Sequence, residues 1–292
     1  MKYDIMFVGP ATRDHNIDYQ GEEVRDIGGA VYFCAYAARA AQAKVFSSMK
    51  ISPEDADILD AFDFPRESLA LLPSARTTLM RNTYFSADRE RRRAECLAQS
   101  DPVQPEEIPE ADCRLYHLCG LLYGDFPGEL IPALKKRGMV SADAQGFLRH
   151  NEGGSMNFHD WADKKTFLPM LDFLKTDAAE AEVLTGLSDR RAAAKQLFDW
   201  GSRETMISHN AEMLVYDGST FYTSPVKARN LSGRTGRGDT TFAGYLSRRL
   251  LGDDIPTALE YAAALVSLKM EQPGPFRGTD ADVRAYIDEF YR

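Results

Sequence analysis

The chain has 292 residues, of which 44% are hydrophobic and 27% are charged, as in a globular protein that buries a sizeable core. A formal net charge of −9 at pH 7 argues against nucleic acid as a partner. The N-terminus has no signal-peptide pattern and no apolar stretch reaches membrane-spanning length, so we expect a cytoplasmic protein without membrane contact. The four cysteines are too few for a disulfide scaffold and show no close metal-ligand pair.

Strands and short helices are predicted through the first third of the chain. Strands are predicted at residues 3–8, 44–49 and 77–86, and helices at 30–43 and 53–62. The segments at about 12–27 and 77–98 contain additional, partly exposed strands that do not fit a buried layer. We therefore predict that these two segments form a small sheet that covers a cleft, as a lid.

From residue 114 onward the pattern alternates between strands and helices. The predicted strands are 115–119, 139–142, 173–176, 205–208 and 213–216. The predicted helices are 126–137, 177–185, 190–200, 239–251, 256–270 and 280–291. This alternation is typical of a parallel sheet with helices on both faces, where ligands bind at the carboxyl ends of the strands. Without a repeat or linker, residues 1–292 are predicted to form one domain that includes the lid.

A glycine-spaced loop with a carboxylate leads into a predicted helix at Gly236-Arg237-Gly238-Asp239. The first N–H groups of a helix have no partner within it, and the helix dipole adds positive potential there. Glycines let a ligand approach the backbone closely, so this stretch favours phosphate binding. An N-cap role explains Asp239 equally well. Other phosphate-binding and nucleophile motifs are absent, so any phosphate site has to be this one.

This stretch resembles the C-terminal signature of the PfkB carbohydrate kinase family, which is ribokinase-like and runs Asp-Thr-x-Gly-Ala-Gly-Asp before a helix with Ala-Gly. The matching positions are Gly236, Gly238, Asp239, Ala243 and Gly244, and the differing ones are Gly233, Arg234 and Arg237. The resemblance covers nearly the whole chain. It implies an α/β fold, namely a three-layer α/β/α sandwich with a mostly parallel sheet and a small β-sheet lid.

The resemblance also implies an activity. Members of the family transfer the γ-phosphoryl group of ATP to a hydroxyl of a sugar, polyol or nucleoside. Asp239 is then the general base, and the N–H groups of Gly236, Arg237 and Gly238 form the anion hole for the transferring phosphoryl group. Arg237 is expected to add a cationic side chain at that place.

Two further segments match the family's acceptor and magnesium sites. Asp14 follows the first strand and Gly28-Gly29 follows later, as in family members that bind a sugar with these residues. Glu180 belongs to the family's Asn-x-x-Glu motif, which orients the Mg²⁺ shell, and Asp177 replaces the Asn. Asp177 and Glu180 would suit a plain helix start equally well. The family's Asn after the Gly-Gly pair is replaced by Phe33.

Other positions are assigned to phosphate and nucleotide by the same resemblance. Arg149 ends an Asp-x-Gln-Gly-x-x-Arg run, which gives it either a substrate or phosphate contact or a surface ion pair. The residues assigned to the nucleotide are Ser208, Asn210, Thr235 and Gly274. Asn210 and Met213 replace both glycines of the family's Thr-x-Gly-x-x-Gly motif. Because Gly233 replaces an Asp near the monovalent-cation site, potassium dependence stays open.

Two alternatives to the kinase differ in how well the residues fit them. One alternative is a ligand-binding sensor or regulatory protein with little or no turnover, which is favoured by the replaced signature residues Gly233, Arg234, Arg237, Asn210 and Met213. The retained Asp239 and Glu180 favour the kinase, because a pure binding protein needs neither. A NAD-dependent Rossmann enzyme is disfavoured, since Gly9-Pro10-Ala11 lacks the early glycine fingerprint. The expected partner is a small polyhydroxylated substrate, and the lid suggests a homodimer of the kind formed by several relatives.

Overall fold

The computed structural model of the protein describes residues 2–86 and 91–292. The strands are β1 (Lys2–Pro10), β2 (Thr12–Ile17), β3 (Glu23–Gly28), β4 (Val45–Ile51), β5 (Leu69–Pro73), β6 (Thr78–Tyr84), β7 (Arg92–Ala98), β8 (Asp112–Leu118), β9 (Met139–Asp143), β10 (Arg149–Glu152), β11 (Ser155–Phe158), β12 (Phe173–Asp177), β13 (Glu204–Ser208), β14 (Glu212–Tyr216) and β15 (Phe221–Pro225). The α-helices are α1 (Ala30–Ala40), α2 (Leu130–Lys135), α3 (Gln145–Leu148), α4 (Lys164–Phe167), α5 (Ala178–Thr185), α6 (Arg190–Asp199), α7 (Arg237–Leu251), α8 (Ile255–Met270) and α9 (Asp280–Phe290). Short 3₁₀ helices add to these, the longest at Pro53–Ala61.

The larger sheet has nine strands in the order β15-β14-β13-β12-β9-β8-β1-β4-β5. Seven neighbouring strands run parallel, namely β13, β12, β9, β8, β1, β4 and β5. At one edge, β14 pairs antiparallel with β13, and β15 pairs antiparallel with β14. The strand order changes direction around β1, and the carboxyl ends of the parallel strands meet at one edge. In sheets of this kind that edge forms the ligand cleft.

Two apolar layers cover the sheet, one on each face. Along β1 the side chains alternate, so Ile5 and Phe7 join the core formed with α1, α7, α8 and α9. Met6 and Val8 join the opposite core with α2, α5 and α6. This alternation follows from the period of two in a strand, and it explains why β1 is buried on both faces. The result is a three-layer α/β/α sandwich, as predicted.

A second sheet stands over the carboxyl edge of the first. Its six strands have the order β10-β11-β7-β6-β2-β3, mostly antiparallel with a parallel pair β2–β6. The predicted lid segments 12–27 and 77–98 supply β2, β3, β6 and β7, although residues 87–90 of the second segment lie outside the described residues. The hairpin of β10 and β11 is an addition that the sequence did not indicate.

Several element bounds differ from the prediction. Strand β14 pairs antiparallel with β13, because the two-residue turn at 210–211 forms a hairpin, and β15, which the sequence did not indicate, pairs antiparallel with β14. Helix α2 covers 130–135 rather than 126–137, and α7 begins at Arg237 rather than near Asp239. Pro256 is the second rather than the first residue of α8. Within the described residues, no helix combines the length and the apolarity needed to cross a membrane.

Candidate active site

The cleft between the two sheets has a volume of ≈1720 Å³ and contains the start of α7 on its floor. Gly236 precedes this helix with φ 75°, a left-handed conformation that glycine adopts without strain. A Cβ at Gly236 would lie 2.2 Å from the Phe33 ring, so the ring also requires glycine here. Phe33 therefore packs under the loop in the position where the family has a polar Asn.

The N-terminal N–H groups of α7 are aimed into this cleft. Arg237 N donates to Arg234 O at 3.3 Å and Thr240 N donates to Gly236 O at 2.9 Å. Within the described part of the chain, Gly236 N, Gly238 N and Asp239 N have no backbone acceptor. The N–H groups that are free for an anion are therefore those of Gly236, Gly238 and Asp239. The turn at 234–237 uses the Arg237 N–H, whose predicted contact with a phosphoryl group stays a prediction.

Asp239 lies in the first turn of α7 with its carboxylate at the floor of the cleft. Its pKa is raised to about 6, chiefly because burial disfavours the charged form and secondarily because of the Asp143 carboxylate. Lys175, His117 and Arg149 oppose this rise. A carboxylate with this pKa is ionised at neutral pH yet accepts a proton more readily than an ordinary Asp, which suits a general base.

A buried ion pair lies directly beneath the first turn of α7. Lys175 Nζ donates to Asp143 Oδ2 at 2.8 Å, and both side chains are 7% exposed. A Cβ on Gly238 would lie 2.8 Å from Lys175 Nζ, so the ammonium group touches the backbone of the loop. Burial alone would lower the pKa of Lys175, but the carboxylates of Asp143 and Glu180 raise it above its ordinary value. Lys175 is therefore a fixed positive charge beside the start of α7.

The two predicted metal residues form the start of α5. Asp177 Oδ1 accepts from Glu180 N, and Glu180 Oε2 accepts from Asp177 N, each at 2.8 Å, which is a capping box. The helix-start role is thus present for both residues. Glu180 is 4% exposed and burial raises its pKa to about 7, partly offset by Lys175. Glu180 also lines the cleft.

The end of the cleft under the lid contains the residues predicted to bind the acceptor, and we call it the acceptor end. Asp14 on β2 is buried, and its Oδ1 accepts from Thr12 Oγ1 at 2.6 Å. Gly28 lies against the Asp14 carboxylate, and Gly29 lines the cleft beside it. Burial raises the pKa of Asp14, while the Thr12 hydroxyl and Arg92 counteract the rise. Arg92, from the lid strand β7, also lines the cleft.

Arg149 connects the acceptor end to the base. Its Nε donates to Leu121 O at 2.9 Å, which fixes the guanidinium at the start of β10. It lines the cleft and interacts electrostatically with Asp125, Glu180 and Asp239. Of the two predicted settings for Arg149, the structure thus has it in the cleft and not in a surface ion pair.

The donor end is formed by loops from three parts of the chain. Arg237 Nη1 donates to Asn210 Oδ1 at 2.9 Å, which joins α7 to the β13–β14 turn. Ser208 and Gly274 line the same end. Thr235 Oγ1 lies 3.5 Å from Tyr84 Oη of the lid, so the lid touches the phosphate loop.

The predicted site residues come together in space. All of them line this one cleft except Gly28, which supports Asp14 from behind. Sequence reasoning missed Lys175, Arg92 and Asn82 as site residues. Lys175 could have been found, because it is the single cation within the buried strand β12. Asn82 donates to Asn16 within the lid at 3.1 Å and gives no sequence signal of its own.

A buried group of soft ligands supports the floor of the cleft. Candidate ligand atoms of Cys34, His117 and Cys119 lie within 4.8 Å of one another, and Cys34 Sγ is 3.6 Å from Asp239 O. Burial opposes ionisation of Cys119, but hydrogen bonds with Cys34 and His117 bring its pKa down to about 7. His117 Nδ1 is also 2.9 Å from Ser141 Oγ. The spacing of the cysteines in the sequence does not show this group, because the three residues come from α1 and the end of β8 and meet only in the fold.

The fold and the site define a small-molecule kinase of the ribokinase type, and comparisons agree with this. The model of the pfkB family carbohydrate kinases matches residues 116–281. A pyrophosphate-dependent kinase in the ribokinase family, solved with a pyrophosphate analog and myo-inositol, is 31% identical with a TM-score of 0.86, and the match covers 96% of this chain and 99% of that one. The protein belongs to the pfkB family of carbohydrate kinases.

Two further structures show the range of the likeness. A pyrophosphate-dependent myo-inositol-1 kinase converted into a myo-inositol-3 kinase is 30% identical with a TM-score of 0.84, covering 99% of this chain and all of that one. Ribokinase of Arabidopsis thaliana, solved with ribose and ATP, is 15% identical with a TM-score of 0.78, covering 98% and 99%, which is a likeness of fold. No curated protein gave a significant match. Kinases of this family and fold transfer a phosphoryl group to a hydroxyl acceptor.

Proposed function

We propose that the protein transfers a phosphoryl group from inorganic pyrophosphate to a hydroxyl of a cyclic polyol of the myo-inositol type. One observation carries this proposal. A carboxylate with a raised pKa, Asp239, shares a cleft with three free N–H groups, the Lys175 ammonium and the acceptor-side carboxylate Asp14. A binding protein needs a carboxylate such as Asp14 to hold its ligand, but it gains nothing from a base beside a phosphate site.

The chemistry follows from this arrangement. The ionised Asp239 carboxylate accepts the proton of the acceptor hydroxyl while the hydroxyl oxygen forms its bond to the donor phosphorus. The bond from that phosphorus to the bridging oxygen of the donor breaks, and the leaving phosphate keeps the electron pair. Negative charge on the transferring group is stabilised by the N–H groups of Gly236, Gly238 and Asp239 and by Lys175.

The acceptor assignment rests on the lid end of the cleft. The Asp14 carboxylate accepts hydrogen bonds from hydroxyl groups, and the guanidinium groups of Arg92 and Arg149 donate to them. Asp14, Arg92 and Arg149 can form hydrogen bonds with a carbon ring that carries a hydroxyl group on each of its atoms. Myo-inositol is such a ring, and the relative that is 31% identical was solved in complex with it.

The donor assignment rests on the other end. Arg237, held by Asn210, adds a cation beside the anion hole, where guanidinium binds phosphate oxygens strongly. Asn210 and Met213 replace glycines that the family resemblance assigns to the nucleotide side. Relatives 30% and 31% identical are named pyrophosphate-dependent. ATP is the second candidate, which the family resemblance and the ≈1720 Å³ cleft support.

Magnesium fits at Glu180. Its carboxylate is buried at the edge of the anion hole, and Mg²⁺ keeps several waters and takes few protein ligands. Asp177 fits less well, because its Oδ1 caps α5. A bound Mg²⁺ would neutralise charge on the donor phosphates.

The lid is also the proposed dimer contact. It carries exposed apolar side chains, among them Val24, Phe85 and Phe158, which are 56%, 62% and 45% exposed. Pairing of two lids would bury them. Sedimentation of the protein with and without the polyol tests this, and a monomer under both conditions would contradict it.

The activity is tested by initial rates with Mg-pyrophosphate or Mg-ATP across a panel of polyols, sugars and nucleosides. Release of orthophosphate or ADP that depends on one acceptor, and on Asp239, would support the kinase. Thermal stabilisation by an acceptor without any product, for either donor, would instead support the sensor that the replaced signature residues suggest.

A further inference from the structure

A second lysine of the cleft has an unusual setting. Lys269, in the last turn of α8, is 2% exposed, and its Nζ donates to Gly233 O at 2.5 Å. Its ammonium group also lies 5.4 Å from the centre of the Phe33 ring, a cation–π distance. Among residues 2–86 and 91–292, no ion pair includes Lys269. It is a buried cation beside the phosphate cleft without a carboxylate in contact.

Such a group is costly for the fold. Burial of an ammonium without an adjacent counter-charge disfavours its charged form, which is why the pKa of Lys269 is lowered to about 8, with Asp239 opposing the effect. An anion that enters the cleft would stabilise the charged form of Lys269, because Lys269 lines that cleft. The position therefore suits a charge used for ligand binding better than one used for stability.

The backbone around Lys269 closes the space beside the phosphate loop. A Cβ on Gly233 would lie 1.8 Å from Gln272 O, so no side chain fits there. Gly233 N donates to Met270 O at 2.7 Å, and Gly233 O accepts from Lys269. Both polar backbone groups of Gly233 are thus held by the end of α8, three residues before Gly236.

We propose that Lys269 is a built-in cation that positions the 233–236 loop and makes a dissociable monovalent cation at this loop unnecessary. The proposal rests on the proposed function insofar as the ligand of the loop is a phosphate donor. Lys269 is a positioning residue in this account, because it acts on the donor through Gly233 and not by direct contact. The ammonium group holds the Gly233 carbonyl, and this bond together with the bond from Gly233 N to Met270 O fixes the loop that leads to Gly236.

Monovalent-cation dependence is the first readout. Wild-type initial rates, and affinity for inorganic pyrophosphate by calorimetry, are measured in potassium chloride and in tetramethylammonium chloride at equal ionic strength. The proposal predicts the same values in both salts. A wild-type protein that is activated severalfold by potassium would overturn it.

Two substitutions separate charge from packing. Lys269→Met fills the space without charge, and we expect donor kcat/KM and pyrophosphate affinity to fall roughly 10–100-fold, as for supporting residues around a site. Lys269→Ala leaves a cavity, and we expect potassium, ammonium or methylammonium to restore part of the loss. The exposed Lys195→Met on α6 is the control.

The outcomes distinguish this inference from the proposed function. Wild-type activity of Lys269→Met, or no response of Lys269→Ala to any cation, would overturn the built-in cation and leave the kinase intact. Lack of turnover by wild type, with salt-independent pyrophosphate binding that Lys269→Met weakens, would remove the kinase and keep the inference. Failure of wild type to bind pyrophosphate would remove both.

Discussion

The Arg237 guanidinium donates a hydrogen bond to Asn210 Oδ1 at 2.9 Å, across the donor end of the cleft. Both residues differ from the family signature, and in the structure the two replacement residues are hydrogen-bonded to each other. Asn210 holds the Arg237 side chain in the cleft, and a glycine at 210 would not accept this hydrogen bond. Their joint replacement is therefore consistent with a changed donor site and does not by itself indicate a lost one.

Arg237→Ala should weaken donor binding. A hydrogen-bonded charge on phosphate contributes about 1.5–3 kcal/mol, so KM for pyrophosphate should rise roughly 10–100-fold while KM for the acceptor stays the same. Asn210→Gly should give a smaller rise in the same direction. Arg203→Ala, an exposed arginine outside the cleft, is the control. An unchanged donor KM for Arg237→Ala would exclude its role.

Asp239 should produce an acid limb in the pH profile. Its pKa of about 6 means that the carboxylate is protonated below that pH and cannot accept the hydroxyl proton. The rate should therefore rise as pH increases through about 6 and level off above it. A rate that does not change between pH 5 and pH 8 would contradict Asp239 as the base.

The same shift has a consequence for stability. A carboxyl whose pKa is raised by folding costs stability once it ionises, so the cost grows from pH 3.8 to about 6 and persists above. Asp239→Asn should thus raise Tm at pH 7.5, with no gain below pH 3.8, while it lowers kcat by roughly two to four decades. The exposed Asp199→Asn should change neither. A lowered Tm at pH 7.5 would contradict the cost assigned to Asp239.

Asp14→Asn should act on the acceptor. It keeps the shape but removes the charge that accepts two hydroxyl hydrogen bonds, and its pair with Thr12 is weakened. KM for the polyol should rise roughly 10–100-fold, as expected for loss of hydrogen bonds to a charged group, with donor KM unchanged. Asp60→Asn, an exposed acid, serves as the control. Equal rises in both KM values would indicate a general disturbance of the cleft.

Lys175 and Asp143 should show strong coupling in a double-mutant cycle. Lys175→Met leaves the Asp143 carboxylate buried beside Asp239 without its partner, which costs about 3–5 kcal/mol. Asp143→Asn alone should cost less, because the remaining Lys175 charge still faces Glu180 and Asp239. The double variant should be more stable than Lys175→Met in urea unfolding. Additive losses would show that the two charges do not stabilise each other.

The sequence predicted those features that have local causes. Hydrophobic periodicity indicated the buried strands and the helices on both faces, and the glycine spacing indicated the phosphate loop. It placed the start of α7 two residues late, because the left-handed turn at Gly236 depends on the Phe33 ring as well as on the loop sequence. The short strands β5, β10, β11 and β15 were missed because their patterns are too brief to stand out from loops.

The part of the site that was missed depends on contacts between distant segments. Lys269 meets Gly233 across 36 positions, and Cys34 approaches Asp239 across 205. No spacing rule links such residues. Asp143 and Lys175 were both visible in the sequence, but only the parallel pairing of β9 with β12 makes them neighbours.

The most direct test of the central claim follows the phosphorus itself. Wild-type protein is mixed with Mg-pyrophosphate and myo-inositol, and the ³¹P NMR spectrum is recorded with time, with Mg-ATP and Asp239→Asn in parallel. The account predicts a phosphomonoester and orthophosphate in equal amounts from pyrophosphate, and little of either with the variant. Pyrophosphate and ATP that both stay intact, although the cleft binds them and the polyol, would contradict the kinase and leave a binding protein.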